Sequence, residues 1–563
     1  MEPIHGRLAR EWKFCKTEKV WNDKGRRHFV SEKLSRLKKT GEKYSVHCSL
    51  EEGLFFGFFV LLSITKGLGF YEGQKVFELL TLLAFICGAA KIAITPYTRR
   101  QWVMQSILLL LVAVTFFCSR ERGILFLGFL VLGMKDISVK KVFHVGLWVW
   151  SVCAIVLSIF NFGRLEHTVY RVHAKLGLGH IFRWSLGFTH PNILHITYLA
   201  LCALLLYELG QNYKFRHFLL LMAGNVLVFL YSISYTGFGI VALLLVGGLY
   251  VRLRPRFWYF EKLLAGLVLP LCLFLSFACP LMLFEPHVTR MIQKLNFMLN
   301  TRIWLALQFL QPEYVSLFGK DISGIVQSSM TMDNSYIWGF INYGIIPFCV
   351  LMIGYFILVI YTAHTQKTRE LVILACFLAA GFTEPLLFNT SFKNITLIFL
   401  GAMLFGWKEE KTQAATEYSL QPALQKRMIG IPYAGLPDIL WKRMKETLRG
   451  NAKRMVLFVL GGALAGAILC GVLHREPEGY VIPRFYTDGL ELTSVYLESE
   501  DDPAYKDYVV MNYVDAATPM QVVSGQAVQL ETVRYYTGSI LIGGLAGFAA
   551  GVFSLRQRKG RAR

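Results

Sequence analysis

Cationic side chains are concentrated in residues 161–192, between two long apolar runs. Four basic residues stand there against the single acid Glu166: Arg164, Arg171, Lys175 and Arg183. In the stretch FRWSLGFTHPN around Arg183, the residues Gly187, Pro191 and Asn192 predict an irregular turn at a helix start. An arginine and a helix N-terminus that converge on one point suit phosphate, because both offer N–H donors and positive charge. Alternatively, long external segments simply escape the bias against basic residues.

A second group of charges lies in residues 285–336. The stretch EPHVTRMIQKLNFMLNTRIWLALQFL places Arg290, Lys294 and Arg302 among apolar residues at helical spacing, which predicts an amphipathic helix along the membrane surface. Asp333 and Asn334 follow, at the start of the helical stretch DNSYIWGFINYG. They are candidates for contacting a substrate, but Asp and Asn are also favoured N-cap residues, which stabilise a helix by about 1 kcal/mol without any catalytic role.

Two further residues are candidates for acid–base chemistry. Glu384, in GFTEPLLFN, falls near the end of an apolar run, where an unpaired ionised group costs a few kcal/mol and is therefore a site candidate. His190 precedes Pro191 and competes with Asp333 for the role of general base. A lone histidine in a turn is more often a hydrogen-bonded structural residue, so that alternative stays open.

The rest of the sequence must position these residues within a membrane. Hydrophobic residues form 54% of the 563 residues and charged residues only 17%, and long apolar blocks exclude a soluble, disordered or fibrous protein. We predict an all-α polytopic fold with about fourteen transmembrane helices. They lie near 54–70, 76–95, 102–118, 123–134, 142–160, 193–209, 217–233, 236–252, 262–284, 337–361, 370–388, 394–407, 454–473 and 538–555.

The net charge of +22 fits a membrane protein better than a nucleic-acid partner. Thirteen Lys and Arg lie in residues 1–50, and most others lie in short segments between apolar blocks. With fourteen helices, the positive-inside rule puts both termini in the cytoplasm and the site on the outer face of the cytoplasmic membrane. About fifty polar residues before the first apolar run argue against a cleavable signal peptide.

The predicted domain organisation follows from these spans. A basic cytoplasmic segment, 1–50, precedes a catalytic membrane domain, 51–407, whose large external segments are 161–192 and 285–336. A cytoplasmic linker, 408–453, contains a short amphipathic stretch at Ile439–Leu448. A two-helix hairpin, 454–555, then carries an external, strand-containing part, 474–537, before the basic cytoplasmic tail 556–563. That external part holds eleven acidic residues against four basic ones.

Cysteine and histidine spacing indicates neither a metal site nor a cofactor site. Most of the eleven cysteines fall in or beside apolar runs, and no CxxC or Cys/His cluster has the spacing of metal ligands. We expect these cysteines to behave as small buried hydrophobic residues.

Taken together, these motifs resemble the bacterial O-antigen and capsular polysaccharide polymerases and, more distantly, the O-antigen ligases. The resemblance covers roughly residues 50–410 and rests on the order of Arg183 and HPN, then TRIWLAL, LFGKD and DNSYIWGFINYG. It implies an inverting, metal-independent glycosyl transfer from a polyprenyl-pyrophosphate-linked glycan on the outer side of the cytoplasmic membrane. In polymerases the acceptor is another lipid-linked repeat unit.

The resemblance also implies roles for individual residues. Arg183 and Arg302 match family arginines by local context and are expected to hold the donor pyrophosphate, where fixed guanidinium groups stabilise the charge of the departing group. At Asp333 the ligases carry a histidine, so this departure favours a polymerase and leaves the base unassigned. Arg171, Arg290, Lys294, Asn192 and Asn334 complete the expected substrate-binding set.

Two alternatives share some of these features. A ligase would transfer the finished glycan to a lipid, wall polymer or protein, whereas a transporter of lipid-linked sugars would need no bond formation. Transporters usually place charged sites near the membrane midplane, but the charges here fall at the ends of spans. We expect the bilayer, a flippase and a chain-length regulator as partners, and the C-terminal hairpin either modulates polymer length or is a lineage-specific appendage.

Overall fold

The structure is a computed structural model, and a large part of the chain can be described from it. The described residues are 46–162, 170–174, 180–283, 289–299, 301–322, 332–406, 427–431, 435–474, 479–483, 496–497, 508–510, 520–523 and 525–561. This part is mostly helical, as predicted. Residues 1–45 of the predicted segment 1–50, most of the linker 408–453 and most of the external part 474–537 lie outside the described residues.

Seventeen helices of at least eight residues, together with eight strands, organise the described residues. The first nine helices are α1 (Leu50–Gly67), α2 (Lys75–Ile94), α3 (Arg99–Ser119), α4 (Gly123–Gly133), α5 (Val139–Asn161), α6 (Pro191–Leu209), α7 (Phe215–Ser232), α8 (Tyr235–Leu253) and α9 (Tyr259–Leu273). The others are α10 (Thr289–Met298), α11 (Arg302–Phe309), α12 (Ser335–Tyr343), α13 (Ile345–His364), α14 (Thr368–Thr383), α15 (Thr396–Phe405), α16 (Leu436–Leu473) and α17 (Gly525–Arg561).

Ten of the described helices are long and apolar enough to cross a membrane. These are α2, α3, α5, α6, α7, α8, α13, the helical segment Tyr259–Leu281 that begins with α9, and the apolar parts of α16 and α17, Gly450–Leu473 and Val528–Leu555. The shorter helices α4 and α15 are also apolar. A helix of ten or eleven residues extends only about 16 Å, half of the apolar thickness of a bilayer. Each of the fourteen predicted segments overlaps at least one helix, but only ten helices of the described residues are long and apolar enough to span a membrane.

Two predicted spans differ from the helices in the structure. The segment 337–361 is divided at Gly344, whose φ of 83° breaks the helix between α12 and α13. The break lets the backbone N–H of Ile345 and Ile346 donate to the carbonyls of Ser316 and Leu317 at 2.9 and 3.0 Å. The segment 370–388 ends its helix at Thr383, because the residue before Pro385 is disfavoured in the α conformation.

The chain between α14 and α15 is irregular and buried. Phe392 packs its ring against the rings of Phe58, Phe59 and Phe126, on α1 and α4. Asn394 donates to the carbonyl of Leu387 at 2.8 Å, which satisfies part of the exposed backbone. Non-helical backbone among apolar helices is stable when the protein supplies such partners. Residues 384–395 therefore form a fixed part of the bundle, and Glu384 is the first of them.

Short strands form three small sheets. β1 (Val46–Ser49) pairs antiparallel with β4 (Met428–Ile431), and β2 (Tyr170–Ala174) pairs antiparallel with β3 (His180–Trp184). The third sheet lies in the C-terminal hairpin and has the order β6 (Tyr496–Leu497), β8 (Met520–Val523), β5 (Gly479–Pro483), β7 (Tyr508–Val510). The sequence predicted strands in this last region only, so β1 to β4 are additions.

The two helices of the C-terminal hairpin are in close contact along a glycine face. A Cβ atom added at Gly462 would overlap the carbonyl oxygen of Gly543, and one added at Gly547 would overlap that of Phe458. Small residues allow two apolar helices to approach in this way. The predicted stretch Ile439–Leu448 lies in the first part of α16, which a kink at Asn451 (φ −137°, ψ 26°) separates from the apolar part of this helix.

Candidate functional site

Arg183 lies on the second strand of a β-hairpin that the sequence did not predict. Residues Ile181, Phe182 and Trp184 of β3 are all buried, and Arg183 itself is only 5% exposed. In the ladder, Arg171 of β2 stands directly opposite Arg183, although the side chain of Arg171 lies outside the described residues. The pairing of β2 with β3 therefore places the backbone of Arg171 next to that of Arg183. It also fixes Arg183 at the end of the helix bundle.

The Arg183 guanidinium bridges the ends of two helices. Its Nε donates to the carbonyl of Ser232, the last residue of α7, at 2.7 Å. An Nη donates to Oδ1 of Asn192, in the first turn of α6. A cation is favoured at a helix C-terminus because the last carbonyls have no partners within the helix. Burial lowers the pKa of Arg183 to about 10, while Glu384 opposes that change, so the group stays charged at neutral pH.

Glu384 accepts from both sides of the site. Nδ2 of Asn192 donates to its Oε1 at 2.7 Å, and Nη2 of Arg302 lies 3.5 Å from the same oxygen. Glu384 is only 6% exposed. A buried carboxylate needs such partners, since an isolated ion would be strongly disfavoured there. The structure thus joins four predicted site residues in one chain, Arg183–Asn192–Glu384–Arg302.

Arg302 begins α11 and is held by backbone oxygens. Its Nε donates to the carbonyl of Thr383 at 3.0 Å, and Nη1 donates to that of Leu299 at 3.2 Å. The preceding residue, Thr301, has a φ of 61° and ends the regular helix before it. The prediction of one continuous amphipathic helix is wrong for this reason: α10 and α11 are separate, and the turn between them directs Arg302 to Glu384.

Asn334, which the sequence assigned to substrate binding with helix capping as the alternative, is the N-cap residue of α12. Its Oδ1 accepts from the backbone N–H of Tyr336 at 2.8 Å and of Ile337 at 3.2 Å. Its Nδ2 donates to Oγ of Ser276 at 2.9 Å. These bonds engage both ends of the amide, so the capping alternative applies to Asn334. The cap of α12 therefore does not require Asp333.

Asp333 lines a small cavity together with Arg302. Leu305, Ala306, Phe309 and Met332 are among the other residues around it. The negative charge of Asp333 acts on both Arg183 and Glu384. Asp333 thus completes a group of two guanidinium and two carboxyl side chains.

His190 lies beside the site and caps the N-terminus of α6. It is the N-cap residue of α6, and its Nδ1 accepts from the backbone N–H of Asn192 at 3.1 Å. This bond agrees with the alternative of a hydrogen-bonded turn residue. Because the Nδ1 lone pair is occupied, any proton acceptance by His190 would have to break the cap or use Nε2.

Two predicted substrate-binding residues are not brought to the site. Arg290 and Lys294 are four residues apart on α10, and both are exposed. Neither makes a hydrogen bond or an ion pair with the part of the chain that the structure describes. Residues four apart share one helix face. That face points to the surface, because Ile292 supplies the buried side of α10.

A further set of contacts around Arg183 was missed from the sequence. Trp184 donates its indole N–H to Oε2 of Glu531 at 2.7 Å, and Arg534 donates to the carbonyl of Phe182 at 2.8 Å. Glu531 and Arg534 belong to α17. The available signal was a pair of charged residues three apart at the beginning of an apolar helix.

Neither a metal nor a relative adds to this description. Within the described residues no group of three His, Cys, Asp or Glu side chains is arranged to hold a metal ion. No protein-family model, curated protein or solved structure matches the chain. The interpretation of the site therefore rests on its own geometry.

Proposed function

We propose that the chain is a membrane glycosyltransferase, a polysaccharide polymerase that joins polyprenyl-pyrophosphate-linked repeat units by inverting, metal-independent transfer. The observation that carries this proposal is that Glu384 is paired directly with Arg302 and linked through Asn192 to Arg183, at one end of the helix bundle. Two fixed guanidinium groups offer a diphosphate several parallel N–H donors in a water-poor setting. The carboxylate holds them in place when no diphosphate is bound.

The chemistry of this proposal needs few groups. An acceptor hydroxyl oxygen bonds to the anomeric carbon of the donor while the bond from that carbon to the pyrophosphate oxygen breaks. The electron pair leaves with the polyprenyl pyrophosphate, whose growing charge Arg183 and Arg302 stabilise. The hydroxyl proton passes to a base, for which Asp333 is the candidate because it lies beside Arg302.

An apolar groove beside the site supports a lipid-linked donor. It has a volume of about 270 Å³ and lies between α5, α6, α7 and α17. Leu186 and Phe188, in the turn that follows β3, line one end, and Leu541 and Leu545 of α17 line another part. Thr197, also in its wall, is five residues from Asn192 on α6. An isoprenoid chain in this groove would keep its diphosphate near Arg183.

The proposed sidedness follows from charge. With residues 1–50 in the cytoplasm, the end of the bundle that carries Arg183 faces outward, where a flippase would deliver lipid-linked units. A ligase uses the same donor, so the site geometry supports that reaction as well. The aspartate at 333, in place of the histidine of ligases, favours the polymerase.

The decisive experiment is extension of a defined polyprenyl-pyrophosphate oligosaccharide by the purified protein with a chelator present. A ladder of products that differ by one repeat unit supports the polymerase. Transfer of a preformed chain to a different acceptor, without a ladder, would instead identify a ligase. Absence of any new glycosidic bond, together with movement of the lipid across vesicles, would contradict both.

A further inference from the structure

The C-terminal helix α17 is in contact with the strand that carries Arg183. Trp184, directly after Arg183, donates to Glu531 at 2.7 Å, and the carbonyl of Phe182, directly before it, accepts from Arg534 at 2.8 Å. We propose that Glu531 and Arg534 are positioning residues. They hold the residues directly before and after Arg183 on β3 and thereby direct its guanidinium group toward Asn192 and Glu384. The C-terminal two-helix hairpin would then be part of the site rather than an appendage.

Arg534 and Arg183 also share the C-terminus of one helix. Nε of Arg534 donates to the carbonyl of Leu230 at 2.8 Å, and Nε of Arg183 donates to that of Ser232 at 2.7 Å. Tyr231, between these two residues, donates its hydroxyl to the carbonyl of Arg534 at 2.8 Å. Both guanidinium groups thus satisfy carbonyls at the end of α7, two residues apart. A shift of Arg534 would be transmitted to the backbone that holds Arg183.

The burial of this contact argues for precise placement. Glu531 is 1% exposed and Arg534 is fully buried, and the two are paired with each other. A buried charge tolerates little displacement, because any lost partner leaves it without compensation. Arg534 uses its hydrogen bonds on three different elements, which a lysine ammonium on a flexible stem cannot reproduce.

Apolar packing closes the same interface. Val528 and Tyr535 of α17 belong to one cluster with Ile181 and Trp184. A Cβ atom added at Gly538 would overlap the ring of Phe162, the residue that follows α5. The backbone of α17 is therefore in direct contact with this ring. The contact is therefore continuous from β3 into the membrane part of the hairpin.

The test compares Arg534→Lys with Gly543→Ala in the full-length protein. Gly543 lies on the contact between α16 and α17, away from β3, and an added methyl group would separate these helices. The first readout is amide hydrogen exchange in residues 180–186. We expect exchange to be at least tenfold faster in Arg534→Lys and unchanged in Gly543→Ala. Trp184→Phe, which removes only the indole donor, should change exchange in the same direction and covers the case in which Arg534→Lys fails to fold.

The second readout is turnover, and this part rests on the proposed function. At equal apparent melting temperature, Arg534→Lys should lower kcat at least tenfold relative to Gly543→Ala. Unchanged exchange in both β3-contact variants would overturn the positioning role, as would equal changes in the Gly543→Ala control. If the wild-type protein forms no glycosidic bond, the proposed reaction fails while exchange alone still decides the positioning role.

Discussion

Asn192 donates its side-chain N–H to Glu384 at 2.7 Å, although 192 residues separate the two in the sequence. The bond ties the first turn of α6 to the end of α14. The amide oxygen of Asn192 also accepts from Arg183, and the carboxylate of Glu384 is paired with Arg302. One amide and one carboxyl group therefore connect the two guanidinium groups, and this is where the proposed function places the diphosphate.

Replacement of either arginine by lysine should nearly abolish polymer formation. Arg183→Lys and Arg302→Lys keep the positive charge but lose the planar fork that contacts several oxygens at once. Loss of one preorganised donor costs about 100-fold or more in kcat. Polymer ladders from membranes with equal protein levels provide the measurement. The matched control is Arg290→Lys, an exposed site on α10, which should retain full activity.

Equal activity of all three lysine variants would remove the pyrophosphate role of Arg183 and Arg302. An equal loss in all three would point to a general need for arginine on this surface. Only a loss restricted to Arg183→Lys and Arg302→Lys agrees with the structure.

The positions of the helices could be predicted well, because a run of apolar residues is a local signal in the sequence. The site could be predicted less completely, because its residues contact others that are far away in the sequence. Arg183 and Arg302 were predicted from charge and context, and Glu384 from its cost in a membrane. The contact of Trp184 with Glu531 spans 347 residues, which no local pattern can show. The sequence does not predict the pairing of β2 with β3, because residues 161–192 carry the signals of an irregular external segment rather than of strands.

Glu384→Gln should strengthen the binding of inorganic pyrophosphate. Burial raises the pKa of Glu384 to about 8. Above that pH, glutamine keeps an oxygen for Asn192 but removes a negative charge that competes with an anionic ligand, so the binding is compared at a pH above 8. Removing about 1.4 kcal/mol of repulsion corresponds to about tenfold tighter binding. Isothermal titration calorimetry would measure it, with Glu313→Gln, at an exposed position, as the control. Weaker binding of pyrophosphate in Glu384→Gln would mean that the main effect of Glu384 is to keep Arg302 and Asn192 in position.

Asp333→Asn and Asn334→Ala should separate catalysis from helix capping. Asn334 supplies the cap of α12, so Asn334→Ala should lower the free energy of unfolding by about 1 kcal/mol. Asp333→Asn removes a proton acceptor, not the cap, and should lower kcat by about 100-fold with an unchanged melting temperature. Thermal denaturation and single-turnover transfer would be measured on both. A fully active Asp333→Asn protein would exclude Asp333 as the base.

Gly344→Ala should reduce the amount of folded protein. The φ of Gly344 is 83°, and an added Cβ would lie 2.6 Å from the backbone nitrogen of Phe318. Both the conformation and the space exclude a side chain. Gly266→Ala in α9 is the matched control, since no atom lies within 4 Å of the added carbon and alanine favours the helix. Size-exclusion profiles of the detergent-solubilised variants would measure the amount of folded protein. Identical profiles for the two variants would contradict the requirement for glycine at position 344.

The C-terminal hairpin allows a last prediction that separates chain-length control from support of the site. Deletion of residues 412–563 removes α17 with its contacts to β3, so we expect loss of polymer rather than a change in its length. Pro483 and Met520 are directly paired across β5 and β8, so a short Asn-Gly turn can replace residues 484–519 and keep both helices. If the external part modulates length, this shorter protein makes polymer with an altered size distribution on a gel. An unchanged distribution would remove the regulatory role, and a normal ladder from the 412–563 deletion would show that α17 is dispensable for the placement of Arg183.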